Sequence, residues 1–135
     1  MSTADILLVE DDAEDAAATM RALRSGNLAG ELHWVKDGAE ALEYLFCTGR
    51  YSGRDRREPP RLVLLDIWMP KVDGIELLLQ RGRTSELNQV PVVVMTSCEE
   101  ERHVLASYHL GIHSYLAKPV KLDDVADTVS RIGIG

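Results

Sequence analysis

The chain has 135 residues, 45% of them apolar and 27% charged, a size and balance that suggest one compact domain over 1–135 with a core of its own. A formal net charge of −7 argues against nonspecific grip on nucleic acid, where Lys and Arg must neutralise phosphates. No metal spacing links Cys47 to Cys98, no basic leader precedes an apolar stretch, and no apolar run approaches the roughly 18 residues of a membrane span, so a reduced, cytoplasmic setting is expected.

Ile6-Leu7-Leu8-Val9 is a short apolar run that stops at acids, as suits a strand buried on both faces. Ala13, Ala16, Ala17, Met20 and Leu23 then recur at helical spacing, with Gly26 placed to end the helix. Leu32 to Val35 reads as a second strand and Lys36-Asp37-Gly38 as a turn, followed by a helix with Ala41, Leu42, Leu45 and Phe46 inward. From Thr48 to Pro60 the composition shifts to Gly, Arg, Asp and Pro, a loop of about a dozen residues, longer than usual βα connections and a candidate for function. Leu62 to Leu65 is a third buried strand ending at Asp66. The third helix starts near Gly74, with Ile75, Leu78 and Leu79 on one face; Gly82 inside it is a weak point of about 1 kcal/mol relative to Ala. Val92 to Met95 forms a fourth strand, Glu99 to Leu110 a fourth helix and Ser114 to Ala117 a fifth strand. Leu122, Val125, Ala126, Val129 and Ile132 mark a last amphipathic helix.

Five apolar strands alternating with five helices predict an α/β fold, a doubly wound parallel sheet covered on both faces. Ligands of such sheets bind beyond the carboxyl ends of the strands. Those ends carry Glu10, Asp11 and Asp12 after the first strand, Asp66 after the third, Thr96 and Ser97 after the fourth and Lys118 after the fifth. Two carboxylates about 5 Å apart repel by roughly 3 kcal/mol at an effective dielectric near 20. A cation relieves this, and an all-oxygen site without His or Cys selects a hard ion, of which Mg²⁺ is the abundant one. Lys118 can pair with a carboxylate or a phosphoryl oxygen, and Thr96 offers a hydroxyl. An aspartate held between Mg²⁺, a lysine and a hydroxyl is a credible phosphoryl acceptor, stabilised at its equatorial oxygens by the metal and the lysine.

Each residue also has a plainer role. Asp11 or Asp12 can cap the first helix, Ser97 and Glu100 can form a capping box, and Lys118-Pro119 can be an ordinary turn. Thr96 can be a simple strand end and Tyr115 a half-buried core aromatic. It is the coincidence of compatible chemistry at four strand ends that favours a site.

In these residues the chain resembles the receiver domain of two-component response regulators, the CheY-like family. The resemblance covers essentially the whole chain. It rests on Leu8-Val9-Glu10-Asp11, on Asp66-Ile67-Trp68-Met69-Pro70 with Asp73-Gly74, on the spacing from Asp66 to Thr96, and on Tyr115-Leu116-Ala117-Lys118-Pro119. It implies a flavodoxin-like strand order of 2-1-3-4-5 and a protein that catalyses only its own phosphorylation and dephosphorylation. Asp66 would be the phosphoacceptor, loaded by a histidine kinase. Asp11 and Asp66 would bind Mg²⁺ directly, Glu10 through water, and the Trp68 carbonyl would be a further ligand. Thr96 and Lys118 would contact the phosphoryl group, Tyr115 would swing inward after Thr96, and the Lys118-Pro119 bond would be cis. Trp68 and Cys98 would flank the hydrolytic water without offering a base, which implies slow dephosphorylation; Trp68 could equally just pack over the site.

Within the family, Glu10, Tyr44-Leu45-Phe46 ahead of Gly49-Arg50-Tyr51, and Val94-Met95-Thr96-Ser97 make the chain similar to small stand-alone regulators that partner bacterial and cyanobacterial phytochrome kinases. Ile132-Gly133-Ile134-Gly135 replaces the aromatic-rich tail common there, which puts a tail-built dimer in doubt. The surface near the fourth and fifth helices is then the first candidate for an isologous homodimer or a downstream protein.

Other readings fit less well. A dinucleotide-binding or P-loop enzyme needs glycines where the first strand ends in acids. An aspartyl phosphatase needs an acid at position 68, which is Trp68. His33, His103, His109 and His113 make no convincing zinc set, with Gly111 between the last two. Two alternatives stay open: an intermediate passing the phosphoryl group to a histidine-containing protein, and an interaction module that works without phosphorylation.

Overall fold

The computed structural model describes residues 6–25, 31–67 and 74–132. Strands β1 (Ile6–Val9), β2 (Leu32–Val35), β3 (Leu62–Asp66), β4 (Val92–Thr96) and β5 (Ser114–Ala117) alternate with helices α1 (Ala13–Ser25), α2 (Gly38–Phe46), α3 (Gly74–Gly82), α4 (Glu99–Ser107) and α5 (Leu122–Ile132). All strand pairs are parallel, in the order β2-β1-β3-β4-β5. This is the flavodoxin-like arrangement that the family resemblance implied.

The central strands β1, β3 and β4 are buried at every position and apolar up to their last residues, Asp66 in β3 and Thr96 in β4, because each has helices on both sides. Leu7, Val9, Val63, Leu65, Val92 and Val94 face one core layer, shared with Ala41, Tyr44, Leu45, Leu77, Leu78 and Leu105. Their alternating neighbours Ile6, Leu8, Leu62, Leu64, Val93 and Met95 face the other, shared with Ala16, Leu23, Val125 and Val129. Among the described residues no helix is long and apolar enough to cross a membrane.

Three expectations need correction. The inward stripe of α3 is Gly74, Leu77, Leu78 and Arg81, while Leu79 is 37% exposed. Arg81 hides this stripe from a polarity reading. It is buried because its Nε and Nη2 donate to the Val90 carbonyl at 3.0 and 2.6 Å, with Nη2 also 3.1 Å from the Asn88 carbonyl. Gly82 is the last residue of α3 and not inside it. Helix α4 stops at Ser107 and not at Leu110, because the backbone turns left-handed at His109 (φ 52°) and Gly111 (φ 76°). This turn lets Leu110 and Ile112 pack against the core layer that contains Leu105.

Candidate functional site

Register places the acids. Val9 pairs with Leu65, so Glu10 and Asp66 are the next residues on neighbouring strands. Asp66 pairs with Met95 and Thr96 with Ala117, so Lys118 emerges beside Thr96, whose carbonyl accepts from the Lys118 amide at 2.8 Å. One carboxylate oxygen each from Glu10, Asp11 and Asp66 lie within 4.8 Å of one another. Glu10 is fully buried, Asp66 nearly so, and Asp11 is exposed at the mouth.

The Lys118 ammonium lies 2.9 Å from Glu10 Oε1 and 3.3 Å from Asp66 Oδ2. It also lies 3.3 Å from Asp15 Oδ2, on the first turn of α1. Burial alone would lower the Lys118 pKa; the Glu10 and Asp66 carboxylates outweigh this and hold it above the usual lysine range. Glu10 moves the opposite way from most acids. Burial pushes its carboxyl up, Asp66 adds to the rise, and Lys118 only partly offsets it. Glu10 Oε1 faces Lys118 without reaching hydrogen-bond geometry, while Oε2 accepts from the Asp12 amide at 3.3 Å. One ammonium thus stands against four carboxylates. The donor set is all oxygen, two of its three acids are buried, and the charge is undercompensated, which suits a hard divalent cation.

The competing roles of the neighbouring acids separate cleanly. Asp12 caps α1: its Oδ1 accepts from the amides of Glu14 at 2.8 Å and Asp15 at 3.0 Å. Asp11 is left to the cluster. The expected capping box of Ser97 with Glu100 does not form, because the N-cap of α4 is Cys98, extended at φ −157° and without a side-chain cap bond.

Thr96 is buried at the end of β4, and Tyr115 is half-buried on β5. Both line a cleft of about 270 Å³ together with Ser97, Cys98, Glu99, Arg102 and Ala117. The Arg102 guanidinium sits 5.2 Å from the Tyr115 ring centroid. Burial raises the Tyr115 phenol, with Arg102 opposing. The Lys118-Pro119 peptide bond is cis. Trp68, expected to offer its carbonyl to the metal and to flank the hydrolytic water, lies outside the described residues.

The 48–60 segment carries a short 3-10 helix, Gly49–Tyr51, that packs against α2. Tyr51 donates its hydroxyl to Glu40 Oε2 at 2.6 Å and lies 2.9 Å from His33 Nε2. Arg54 stacks on the Tyr44 ring at 3.7 Å and donates to the Tyr44 and Glu58 carbonyls. Of the four histidines, His33 packs in this aromatic group and His113 Nδ1 accepts from the Val92 amide at 3.2 Å. The only His, Cys, Asp or Glu cluster with metal-binding geometry among the described residues is Glu10, Asp11 and Asp66.

Two residues at the site were missed from sequence. Asp15 could have been found as the acid one turn after the strand-end pair. Trp34, whose indole Nε1 donates to the Glu10 carbonyl at 2.8 Å, left no local signal.

The sequence model described as Response regulator receiver domain matches residues 6–130. Among curated proteins, the chain is 40% identical over 127 residues to a probable methanogenesis regulatory protein, FilR2 of Methanothrix harundinacea, covering 94% of this chain and 79% of that one. It is 37% identical over 127 residues to response regulator Rcp1 of Synechocystis, covering 94% and 84%. A solved Mn²⁺-bound form of Rcp1 matches with a TM-score of 0.75 at 36% identity, covering 96% of this chain and 91% of that one. The bacteriophytochrome response regulator RtBRR matches at TM-score 0.92 and 40% identity, covering 100% of this chain and 80% of that one.

Proposed function

The chain belongs to the response regulator receiver family, and we propose that it accepts a phosphoryl group on Asp66 from a histidine kinase in a Mg²⁺-dependent reaction. The observation that carries this reading is the cluster of Glu10, Asp11 and Asp66, with oxygens within 4.8 Å of one another, in which the Lys118 ammonium bridges Glu10 and Asp66. Asp11 and Asp66, with Glu10 behind them, would hold the cation, which supplies charge neutralisation when bound. Asp66 is the nucleophile: a carboxylate oxygen attacks phosphorus, and the bond to the donor's leaving group breaks. Lys118 stabilises the transferring group's oxygens, and Thr96 offers a hydroxyl at the next strand end. That relatives include a Mn²⁺-bound regulator supports the cation, and that they include a bacteriophytochrome regulator supports a phytochrome-type kinase. The chain's chemistry would be limited to its own phosphorylation and dephosphorylation, in the cytoplasm.

The phosphoryl group would carry about −1.5 to −2 where the Asp66 carboxylate carried −1, and its three oxygens would draw Thr96 and Lys118 toward them. Thr96 and Tyr115 line one cleft, so a shift of the first changes the space open to the second. The surface read by a downstream protein, a histidine-phosphotransfer protein or a second copy would then include Val104 and Tyr108, exposed at 53% and 58%. Cys98 in the same cleft offers no general base, consistent with slow dephosphorylation.

The test is intact mass after incubation with acetyl phosphate and Mg²⁺. We expect a gain of one phosphoryl group that disappears in Asp66→Asn and in excess chelator. No gain under conditions that load a control receiver would favour an interaction module that works without phosphorylation.

A further inference from the structure

Trp34 lies on the edge strand β2, opposite Leu8. It is half-buried and packs on the core layer formed with α1 and α5. Burial of the ring alone needs no polar partner; Phe or Leu would do as well. The indole N–H has one nonetheless, the Glu10 carbonyl at 2.8 Å. That carbonyl lies one residue past Val9, the last residue of β1 in the paired register.

The peptide unit that carries the Glu10 carbonyl also carries the Asp11 amide, and it is planar. Holding its oxygen therefore sets ψ of Glu10 and φ of Asp11 together. Those angles aim the two acids that, with Asp66, bring oxygens within 4.8 Å of one another. The turn is tied at two other points, by the Glu10 amide to the Val35 carbonyl at 3.1 Å and by the Asp12 amide to Glu10 Oε2 at 3.3 Å. The indole is the tie between them. Mutual repulsion of the acids pushes the untied peptide to turn away, and a fixed hydrogen bond opposes this before the cation arrives.

We infer that Trp34 is a positioning residue for cation binding: its indole N–H locks the Glu10–Asp11 peptide so that both carboxylates converge with Asp66. The inference rests on the proposed Mg²⁺ site. It is tested by Mg²⁺ titration calorimetry on the whole chain, wild type against Trp34→Phe, which keeps the ring and removes the N–H. We expect about a fivefold loss of Mg²⁺ affinity, in keeping with one net hydrogen bond, and a melting midpoint in chelator lowered by no more than a few degrees. Leu32→Ala, on the same strand and core layer, is the packing control and should lower the midpoint without changing affinity. Equal affinity in wild type and Trp34→Phe overturns the inference alone, whereas no binding by wild type overturns the Mg²⁺ reading and the inference with it. Should Trp34→Phe fail to fold, the wild-type indole ¹H–¹⁵N resonance of Trp34, assigned in Trp68→Phe, gives the answer. A shift that saturates with Mg²⁺ supports the lock and an unmoved resonance refutes it.

Discussion

Burial pushes the Glu10 carboxyl from 4.5 up to about 7, with Asp66 adding to the rise and Lys118 opposing it. The folded chain therefore favours the protonated form. The Glu10 contribution to stability is fully present below 4.5 and is lost as pH rises through about 7. Thermal melts in chelator should show a midpoint that falls across this window, and Glu10→Gln should flatten the fall; identical pH profiles for the two proteins would refute it. A bound cation takes the proton's place, so the rise in midpoint caused by Mg²⁺ should be larger above about pH 7 than near pH 5. The acids at this site were legible in the sequence because each ends an apolar run. Of their helpers only Asp15 leaves a local trace, as the acid one turn after the strand-end pair; its contact with Lys118 spans 103 positions, and that of Trp34 with Glu10 spans 24. Nothing in local periodicity records such contacts.

At the scale of elements, the two glycines bounding α3 differ in a way that composition hides. A Cβ on Gly74 would stand 2.8 Å from the Ile67 Cα, a backbone atom immediately after Asp66, whereas at Gly82 it would meet nothing within 4 Å. Gly74→Ala should cost about 1–3 kcal/mol by overpacking. Gly82→Ala should be neutral or stabilise by up to about 1 kcal/mol through the unfolded chain. Denaturant midpoints for both variants check the pair, and equal effects would sink the argument. In sequence the 48–60 segment after α2 reads as a long loop. It is tied by Tyr51 to Glu40 and by Arg54 to Tyr44, polar and stacking contacts that a reading for hydrophobic periodicity passes over. The same blindness hid Arg81 in the buried stripe of α3. On α2, Asp37 accepts from the Glu40 amide at 2.8 Å while Glu40 reaches back to the Lys36 amide at 3.2 Å, so a turn read as Lys36-Asp37-Gly38 is also a helix cap.

Over the whole molecule the net charge is −7, and −3 of it, with every carboxylate ionised, stands where four carboxylates gather around one lysine. Such a site strains the metal-free fold and rewards a cation by mass action, with each tenfold excess over Kd adding about 1.4 kcal/mol. Asp11→Asn should raise the melting midpoint in chelator by a few degrees and remove most of the gain from Mg²⁺. A variant that still gains as wild type does would show that Asp11 is no ligand. The alternation of strands and helices, the burial of the central strands on both faces, and the residues that end them are all written in the chain's local pattern. Those properties are local: an apolar run needs cover on both sides, and a charge ends it. The strand order could be drawn only from family likeness, and tertiary structure decided the rest. Parallel register set Glu10 beside Asp66, α1 brought Asp15 to Lys118, and β2 brought an indole to the acidic turn. These follow from pairing and packing between distant segments, whose energies depend on the whole sheet being assembled.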